Sequence, residues 1–305
     1  MNRPDRITRS QCDEIRKEMQ MKFVGMGDNV VDRYVNKKVM FPGGNAVNFA
    51  AFAKKCGVDS AYLGVLADDM EGRLIRGALV ELGVDVSGCT IFPDYATERC
   101  DVVLKDGDRT FVGSGWEEGK EHRPLKLRAE DLDYLKGFDV IHCGCYAEME
   151  DEMRKLDGFN CVRTFDFSSE EHYRTDEYLE KICPFVDIAL FSGEQMNEEQ
   201  VNRLQQKVRA FGTTYVLVTN GTKGQILFDG KTSYQGVVKL IKPVDTMGAG
   251  DSFFTAFVVS LMKNGWTRDC LTNFDMIQNA FAYAADYSAQ TCLVEGSFGF
   301  AAQFE

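Results

Sequence analysis

The chain is poor in the features that mark membrane, nucleic-acid-binding and zinc proteins. None of its 305 residues belongs to an apolar run approaching the ~18 residues that span a membrane. Its net charge is −12 and it has no basic run, which argues against a nucleic-acid partner and an anionic membrane surface. It has only three histidines and no second ligand pair with zinc spacing. We therefore interpret His142-Cys143-Gly144-Cys145 as part of a buried strand rather than a metal site.

The amino-terminal segment lacks the apolar core of a secretory signal. Residues 1–20 are polar and charged, and we expect there an extension that is either a surface helix or disordered. One domain is expected over residues 21–305. The chain has ten cysteines in no regular framework, which is typical of free thiols in a reducing cytosol. We therefore predict a cytoplasmic protein.

Strand-like and helical segments alternate along much of the chain. A hydrophobic content of 44% can supply the core of one large α/β domain, and residues 21–27 predict its first strand. Further strand-like segments are 139–145, 162–167, 186–191 and 215–219, and helical ones are 149–156, 175–183 and 197–211. This alternation predicts a mostly parallel, doubly wound α/β sheet of the Rossmann type.

One stretch combines a glycine-rich turn with the start of an apolar helix. Residues 245–253 read Asp-Thr-Met-Gly-Ala-Gly-Asp-Ser-Phe, and apolar residues continue to 262. Gly248 and Gly250 allow a ligand to approach the backbone closely, and the first N–H groups of a helix can hold a transferring phosphoryl group. Asp251 is placed to take a proton from an attacking hydroxyl. The alternative is a turn before a buried helix, with Asp251 serving only as a cap.

A second glycine pair opens another predicted helix. Gly43 and Gly44 precede Asn45 and Asn48, which are three residues apart and therefore share one face of the first turn. Side-chain amides there can pair with sugar hydroxyls as donors and acceptors. Taken alone, Asn45 fits a helix cap slightly better.

These two stretches, in this order, resemble the signatures of the ribokinase/PfkB family of carbohydrate kinases. The Leu-Gly-Val-Leu-Ala-Asp-Asp-Met-Glu-Gly run at residues 63–72 extends the resemblance, which covers residues 21–297. It implies a Rossmann-like sheet with a small β lid, here from about 30–42 and 98–115. It also implies ATP-dependent phosphorylation of a sugar hydroxyl with Mg²⁺, and leaves open a monovalent-ion requirement. An exposed lid edge favours a homodimer.

The resemblance assigns roles near the transferred phosphoryl group and the substrate. Asp251 is the implied general base, and the backbone N–H groups of Ala249, Gly250 and Asp251, following Gly248, form the anion hole. The residues implied for substrate binding are Asp28, Asp32, Gly43, Gly44, Asn45, Asn48 and Arg109. For Arg109, a single arginine in a predicted hairpin, a solvated edge charge is the alternative.

The resemblance also indicates where the nucleotide and the metal bind. Thr219, Gly221 and Gly224 match the family's Thr-x-Gly-x-x-Gly, although Asn-Gly at 220–221 also predicts a tight hairpin turn. Asn279 lies in a helix that helps to wall the adenine in the family; helix packing through alanines is the alternative. Glu194 is the candidate for the phosphate-bound metal, with a solvated loop glutamate as the alternative. The family's usual pattern is altered here, because Ser192 stands where asparagine is expected.

Several segments are similar to one subgroup, the fructoselysine 6-kinases. They are residues 27–32, the Gly-Gly-Asn-Ala-Val-Asn run, residues 164–168 and residues 245–248. The implied substrate is the 6-hydroxyl of a fructosamine, and Asp28 would be a partner for its cationic amine, with a structural acid as the alternative. Other possible functions are a fructokinase or ribokinase and a non-catalytic sugar-binding protein on the same fold.

Overall fold

Fourteen strands form two β-sheets in the part of the chain that the structure describes. The computed structural model describes residues 21–120, 122–268 and 273–305, so the predicted extension over 1–20 lies outside it. The strands are β1 (Lys22–Gly27), β2 (Val30–Tyr34), β3 (Val39–Gly43), β4 (Asp59–Ala67), β5 (Thr90–Phe92), β6 (Glu98–Lys105), β7 (Asp108–Gly115), β8 (Val140–Gly144), β9 (Val162–Asp166), β10 (Ile188–Ser192), β11 (Tyr215–Thr219), β12 (Gln225–Phe228), β13 (Ser233–Gly236) and β14 (Ala302–Gln303).

Eight α-helices are described. They are α1 (Asn45–Lys55), α2 (Met70–Leu82), α3 (Ala129–Leu135), α4 (Glu150–Met153), α5 (Asp176–Ile182), α6 (Glu198–Ala210), α7 (Ala249–Lys263) and α8 (Phe274–Thr291). Local signals account for several ends: Asp69 caps α2 through the Gly72 N–H, and Gly83 ends it in a left-handed conformation. The helix expected over 149–156 is one short α-helix followed by a 3₁₀ turn at Arg154–Leu156.

The larger sheet has nine strands in the order β13-β12-β11-β10-β9-β8-β1-β4-β5. The pairs from β5 to β11 are parallel, and only β11–β12 and β12–β13 are antiparallel. One apolar cluster packs α3, α5 and α6 on one face, and a second packs α1, α7 and α8 on the other. The predicted doubly wound, mostly parallel α/β sheet is therefore confirmed.

The smaller sheet has the order β14-β3-β2-β6-β7. Four of its strands come from the two segments expected to form the lid, and β14, at residues 302–303, is a fifth strand that was not predicted. Its apolar side packs on Met247, just before α7. The buried Tyr34 hydroxyl of β2 donates a short hydrogen bond to the buried Asp245 carboxylate. At the tip of the β6–β7 hairpin, Gly107 has φ 83°, and a Cβ there would lie 2.4 Å from the Pro243 carbonyl oxygen. The lid thus contacts the segment before α7 at its base and at its tip.

The apolar segments of this fold are core elements. Among the described residues, no helix combines the length and the hydrophobicity that a membrane span needs. His142 of β8 is buried, hydrogen-bonds the Thr164 hydroxyl at 2.8 Å and stacks on Phe49. Burial lowers the pKa of His142 to about 3. This histidine is therefore a neutral core residue.

Candidate active site

The amino-terminal ends of α1 and α7 meet above the carboxyl ends of the parallel strands. The Asn48 amide donates to one oxygen of the Asp251 carboxylate at 2.6 Å, and the Asn45 amide lies 3.3 Å from the other. Asn48 is buried, whereas Asp251 and Asn45 are half-buried. The two asparagines predicted to share a face therefore hold the predicted base from one side.

Asn45 also links Asp251 to a carboxylate for which the sequence indicated no role. Its amide donates to Asp166, at the end of β9, at 2.6 Å. The cap of α1 is Gly44, so the interpretation of Asn45 as a helix cap is wrong. The cap of α7 is Gly248, so Asp251 is not a cap either. Both side chains are turned to the same polar centre instead.

Four carboxyl groups share this poorly solvated region, and their protonation is shifted accordingly. Burial, reinforced by the Asp251 charge, raises the pKa of Asp166 to about 8. Burial raises the pKa of Asp32 to about 7 against the opposing effect of Arg109, and that of Asp28 to about 6. The pKa of Asp251 is also raised by burial, while the Asn48 hydrogen bond, Arg109 and Asn45 act to lower it. Such shifts are typical of functional sites.

The first turn of α7 presents the backbone N–H groups of Gly250 and Asp251, whereas the Ala249 N–H of the predicted anion hole donates to the Thr246 carbonyl at 3.2 Å. Gly248 has φ 70°, and a Cβ there would lie 2.7 Å from the Ser297 hydroxyl oxygen, so this turn requires glycine. Buried Asp245 accepts hydrogen bonds from the N–H groups of Met247 (2.9 Å) and Gly296 (2.8 Å), which fixes the turn from below. A Cβ on Gly250 would meet no atom within 4 Å. The space next to the helix end is therefore free for an anion.

The other glycine pair brings acidic side chains against the backbone. A Cβ on Gly43 would lie 2.4 Å from an Asp32 carboxylate oxygen, and one on Gly44 2.9 Å from an Asp28 oxygen. The Asp28 carboxylate accepts from the N–H groups of Asn45 (2.6 Å) and Ala46 (3.2 Å). Asp28 therefore anchors the start of α1, which fits the structural alternative for this acid.

Arg109 reaches the site from the lid. Its guanidinium donates to the Thr246 hydroxyl at 2.9 Å, and its charge lowers the pKa of both Asp32 and Asp251. Arg109 is half-buried, so the interpretation as a solvated edge charge is wrong. The lid hairpin thus brings a positive charge to the carboxyl cluster.

The nucleotide-binding candidates lie at the other end of the sheet. Thr219 ends β11, and residues 220–224 connect it to β12 through a 3₁₀ turn at Gly221–Lys223, a longer connection than the predicted tight turn. Glu194 follows β10 and is exposed, and its carboxylate would lie 2.8 Å from a Cβ on Gly221. Asn279 is exposed on α8, next to Gln278, which donates to the Gln235 carbonyl of β13. These residues share one edge, separate from Asp28 and Gly44.

The side chains and backbone groups of the site can be compared with the ligands that ATP and Mg²⁺ require. No group of three or more His, Cys, Asp or Glu side chains that could hold a metal is found within 21–120, 122–268 and 273–305. Mg²⁺ needs no such cage, because it is commonly held by one or two carboxylates, phosphate oxygens and water. The exposed Glu194 and the open α7 end with Gly250 fit that arrangement. The residues present are therefore compatible with Mg²⁺ carried by a nucleotide.

A comparison with protein families decides among the enzyme classes that this geometry allows. The model of the "pfkB family carbohydrate kinase" matches residues 17–296. The chain belongs to this family of carbohydrate kinases. The predicted family and the prediction that the protein is a carbohydrate kinase are both confirmed.

Two curated relatives of this pfkB kinase are named as kinases of fructosamine and of fructoselysine. It is 33% identical to fructosamine kinase FrlD of Bacillus subtilis over 92% of this chain and 94% of the relative. It is 32% identical to fructoselysine 6-kinase of Escherichia coli over 79% and 88%, respectively.

Solved structures share the fold of the kinase at lower sequence identity. Fructokinase from Vibrio cholerae O395, described with fructose, ADP and calcium, is 20% identical with a TM-score of 0.71, covering 92% of this chain and 95% of that one. Arabidopsis thaliana ribokinase, described with ribose and ATP, is 20% identical with a TM-score of 0.72 over the same shares. At these identities the structures support the ribokinase-like fold alone.

Sequence reasoning overlooked two acids of the site. Asp166 and Asp245 both lie in segments similar to the fructoselysine 6-kinases, yet no role was inferred for either. For Asp166 a signal exists, because an acid that ends a buried parallel strand lies at the ligand-binding edge of such a sheet. For Asp245 no signal distinguishes a buried anchor of a turn from a solvated acid.

Proposed function

We propose that this kinase transfers the γ-phosphoryl group of ATP to the 6-hydroxyl of fructoselysine or a related fructosamine. The observation that carries the proposal is the Asp251 carboxylate, held by Asn48 and Asn45 beside the open amide end of α7. A carboxylate in that position can take the hydroxyl proton while the helix end stabilises the phosphoryl charge. A protein that only binds sugars has no use for the pair.

The proposed step divides between these two elements. Asp251 accepts the proton of the 6-hydroxyl, the sugar oxygen forms a bond to the γ-phosphorus, and the bond to the β-phosphate oxygen breaks to release ADP. The N–H groups of Gly250 and Asp251 hold the transferring group, each such donor contributing on the order of 3 kcal/mol. Placement of the lid hairpin over the site excludes water, the competing acceptor.

Two unsatisfied polar atoms support a sugar in this position. Among the described residues, the Asn48 Oδ1 and the Arg109 Nε are buried without a hydrogen-bond partner. One is an acceptor and the other a donor, and sugar hydroxyls can satisfy both. We propose that the sugar is held by Asp32, Gly43, Gly44, Asn45, Asn48 and Arg109.

The proposed nucleotide site lies on the side of β10 and β11. We propose that Thr219, Gly221 and Gly224 line it, that Asn279 borders the adenine, and that Glu194 serves Mg²⁺ through water or directly. When bound, Mg²⁺ neutralises charge on the phosphates. Membership of the family of pfkB carbohydrate kinases supports a nucleotide as the phosphoryl donor.

Substrate preference is supported by relatives. Both fructosamine-acting relatives are at least 32% identical to this chain, whereas the fructokinase of Klebsiella pneumoniae is 26% identical over 90% of it. A fructokinase is therefore the second candidate, with the same Asp251 chemistry. Fructose differs from a fructosamine only in the group on C1.

An ATP-consumption panel over fructoselysine, other fructosamines, fructose, ribose and nucleosides tests the proposal. We expect the highest kcat/KM on a fructosamine, and a loss of at least about 10² in kcat for Asp251→Asn. Asp275→Asn, which neutralises an exposed acid in the first turn of α8, is the matched control. Sugar binding without turnover in the wild type would favour a binding protein, and the highest kcat/KM on fructose would favour a fructokinase.

We propose an assembly and a compartment from the surface and the thiols of the described residues. Strand β7 is the edge of the lid sheet and exposes Phe111 and Val112 by more than half. We propose that this edge forms a homodimer, which sedimentation of Phe111→Asp against wild type would test. The free cysteines among the described residues support a reducing cytoplasm as the working compartment.

A further inference from the structure

A cleft adjoins the carboxyl cluster on the side away from the nucleotide residues. It is open to solvent on one side. Its floor is formed by residues 27–29 at the end of β1, and its walls by residues 95–98, 122–125 and 146–147. None of these segments belongs to the nucleotide edge at β10 and β11.

The strand order gives the cleft a definite position relative to the transferred group. Along the sheet, β11 and β10 are followed by β9 with Asp166, then by β8, β1 and β4. Asn45 contacts Asp166 and Asp251, and its Cβ would lie 3.1 Å from a Cβ on Gly144, at the end of β8. The catalytic carboxylate therefore stands between the nucleotide edge and the cleft.

A hexose bound for transfer to its 6-hydroxyl must lie along this direction. Its O6 is next to Asp251 and the phosphoryl group, so the opposite end of the sugar, with C1, points away from the nucleotide. In a fructosamine C1 carries the amine and its substituent. These are the atoms for which the cleft offers space.

The cleft contains one carboxylate that is free to bind a cation. In the part of the chain that the structure describes, no hydrogen bond or ion pair joins the side chain of Glu98, at the start of lid strand β6. Asp28 also lines the cleft, but its two oxygens accept from the backbone N–H groups of α1. Burial and the neighbouring charges of Asp28 and Glu148 raise the pKa of Glu98 to about 7. A bound cation would relieve this clustering of negative charge.

The rest of the cleft suits an alkyl chain with a polar end. Tyr95 and Tyr146 are among its walls, and the Arg123 guanidinium lies 5.5 Å from the Tyr95 ring centroid. Tyr146 donates to Glu170, which keeps its ring at the rim. Aromatic faces can pack on methylene groups, and polar groups at the rim can remain in water.

We infer that this cleft is the subsite for the substituted amine of a fructosamine, with the Glu98 carboxylate binding the ammonium at C1 and the aromatic walls binding its alkyl substituent. The inference rests on the proposed function and deepens it. It moves the recognition of the amine from Asp28 to Glu98, and Asp28 serves to position α1.

The test compares Glu98→Gln with wild type on fructoselysine and on fructose. In Glu98→Gln, we expect the KM for fructoselysine to rise by a factor at least ten times larger than the factor for the KM of fructose. If fructose is not turned over, its inhibition constant Ki replaces that KM. The matched control is Glu118→Gln, an exposed glutamate outside the cleft, which should change neither constant. A neutral 1-O-butyl ether of fructose completes the set, because it fills the cleft without a charge. Glu98→Gln should bind it at least as well as wild type does.

The outcomes separate this inference from the proposed function. Equal changes for both sugars, or none for either, would overturn the role of Glu98 while fructosamine turnover by wild type still supports the function. Weaker binding of the neutral ether by Glu98→Gln would also overturn it, since charge would not be what the residue recognises. A wild type that phosphorylates fructose but no fructosamine would overturn both. An unchanged melting temperature of Glu98→Gln shows that the fold is intact.

Discussion

The side-chain amide of Asn48 lies 2.6 Å from the Asp251 carboxylate, although the two residues are 203 positions apart in sequence. This hydrogen bond joins the first turn of α1 to the first turn of α7. It sets the direction of the carboxylate, and it stabilises the charged form against burial. Both glycine-rich signatures of the chain therefore act on one carboxylate.

Replacing Asn48 by alanine should shift the pH dependence of catalysis. Burial raises the pKa of Asp251 and the Asn48 hydrogen bond opposes that rise, so its loss raises the pKa further. Because the base must be ionised, the acid limb of the kcat profile should move to higher pH. The measurement is kcat from pH 5 to 9. Asn202→Ala, an exposed change on α6, is the control, and a profile that only drops without moving would contradict this role.

Gly250→Ala should separate stability from activity. A Cβ at this position meets no protein atom within 4 Å, and alanine is favoured over glycine in helices by about 1 kcal/mol, so the melting temperature should stay equal or rise. The methyl group would occupy the space proposed for the phosphoryl group, and kcat/KM should fall by about 10² or more.

Gly77→Ala is the matched control for that change. Gly77 lies inside α2, and an added Cβ there also meets no atom within 4 Å. It should give the same gain in thermal stability with unchanged kcat/KM. If Gly250→Ala keeps wild-type turnover, the end of α7 does not hold the transferred group.

The carboxyl cluster should make the free energy of unfolding of the ligand-free enzyme fall as the pH rises from about 4 to 8. Burial raises the pKa of Asp166 to about 8, so the folded state binds more protons than the unfolded state over this range. This contribution is complete below the unfolded pKa and is lost as the pH passes the folded pKa.

In Asp166→Asn the free energy of unfolding should therefore fall less steeply with pH, by up to about 1.4 kcal/mol per pH unit. Urea unfolding at several pH values measures it. Asp133→Asn, an exposed acid on α3, should leave the slope as in wild type. If Asp166→Asn leaves the pH dependence of the free energy of unfolding unchanged, the Asp166 carboxyl does not bind a proton on folding.

Glu194→Gln should raise the Mg²⁺ concentration that gives half-maximal rate several-fold. The exposed Glu194 carboxylate lies beside Gly221, one of the residues proposed to line the nucleotide, and the neutral amide is a poorer ligand for Mg²⁺ and its waters. KM for the sugar should stay the same. Glu180→Gln, an exposed change on α5, controls for net charge. An effect confined to sugar KM would remove Glu194 from the metal role.

Sequence reasoning succeeded where one local pattern carries one physical requirement. Gly248 had to be glycine because the turn before α7 is left-handed, and the alternation of strands and helices predicted the parallel sheet. The asparagines at 45 and 48 followed from helical spacing. The groups that they bind could not be predicted, because Asp166 and Asp251 come from distant segments and a single sequence contains no record of that pairing.

The alternatives that the structure overturned also depended on local pattern alone. A solvated hairpin charge was the alternative for Arg109, and the residue is half-buried because the hairpin folds back onto Thr246. A helix cap was the alternative for Asn45, and its side chain turns inward because Gly44 already serves as the cap and an acid lies within reach. Glu98 carried no signal at all, since its importance depends on a cleft formed by several separate segments.

The buried hydrogen bond between Tyr34 and Asp245 has a consequence for how substrates enter. Asp245 also holds the turn that precedes α7, so the inner strands of the small sheet are tied to the phosphoryl-binding element itself. A rigid-body rotation of the whole lid sheet would remove this pair from its apolar surroundings. We therefore expect the hinge to lie farther out, with the β6–β7 hairpin lifting off Pro243 to admit the sugar and release its phosphate ester.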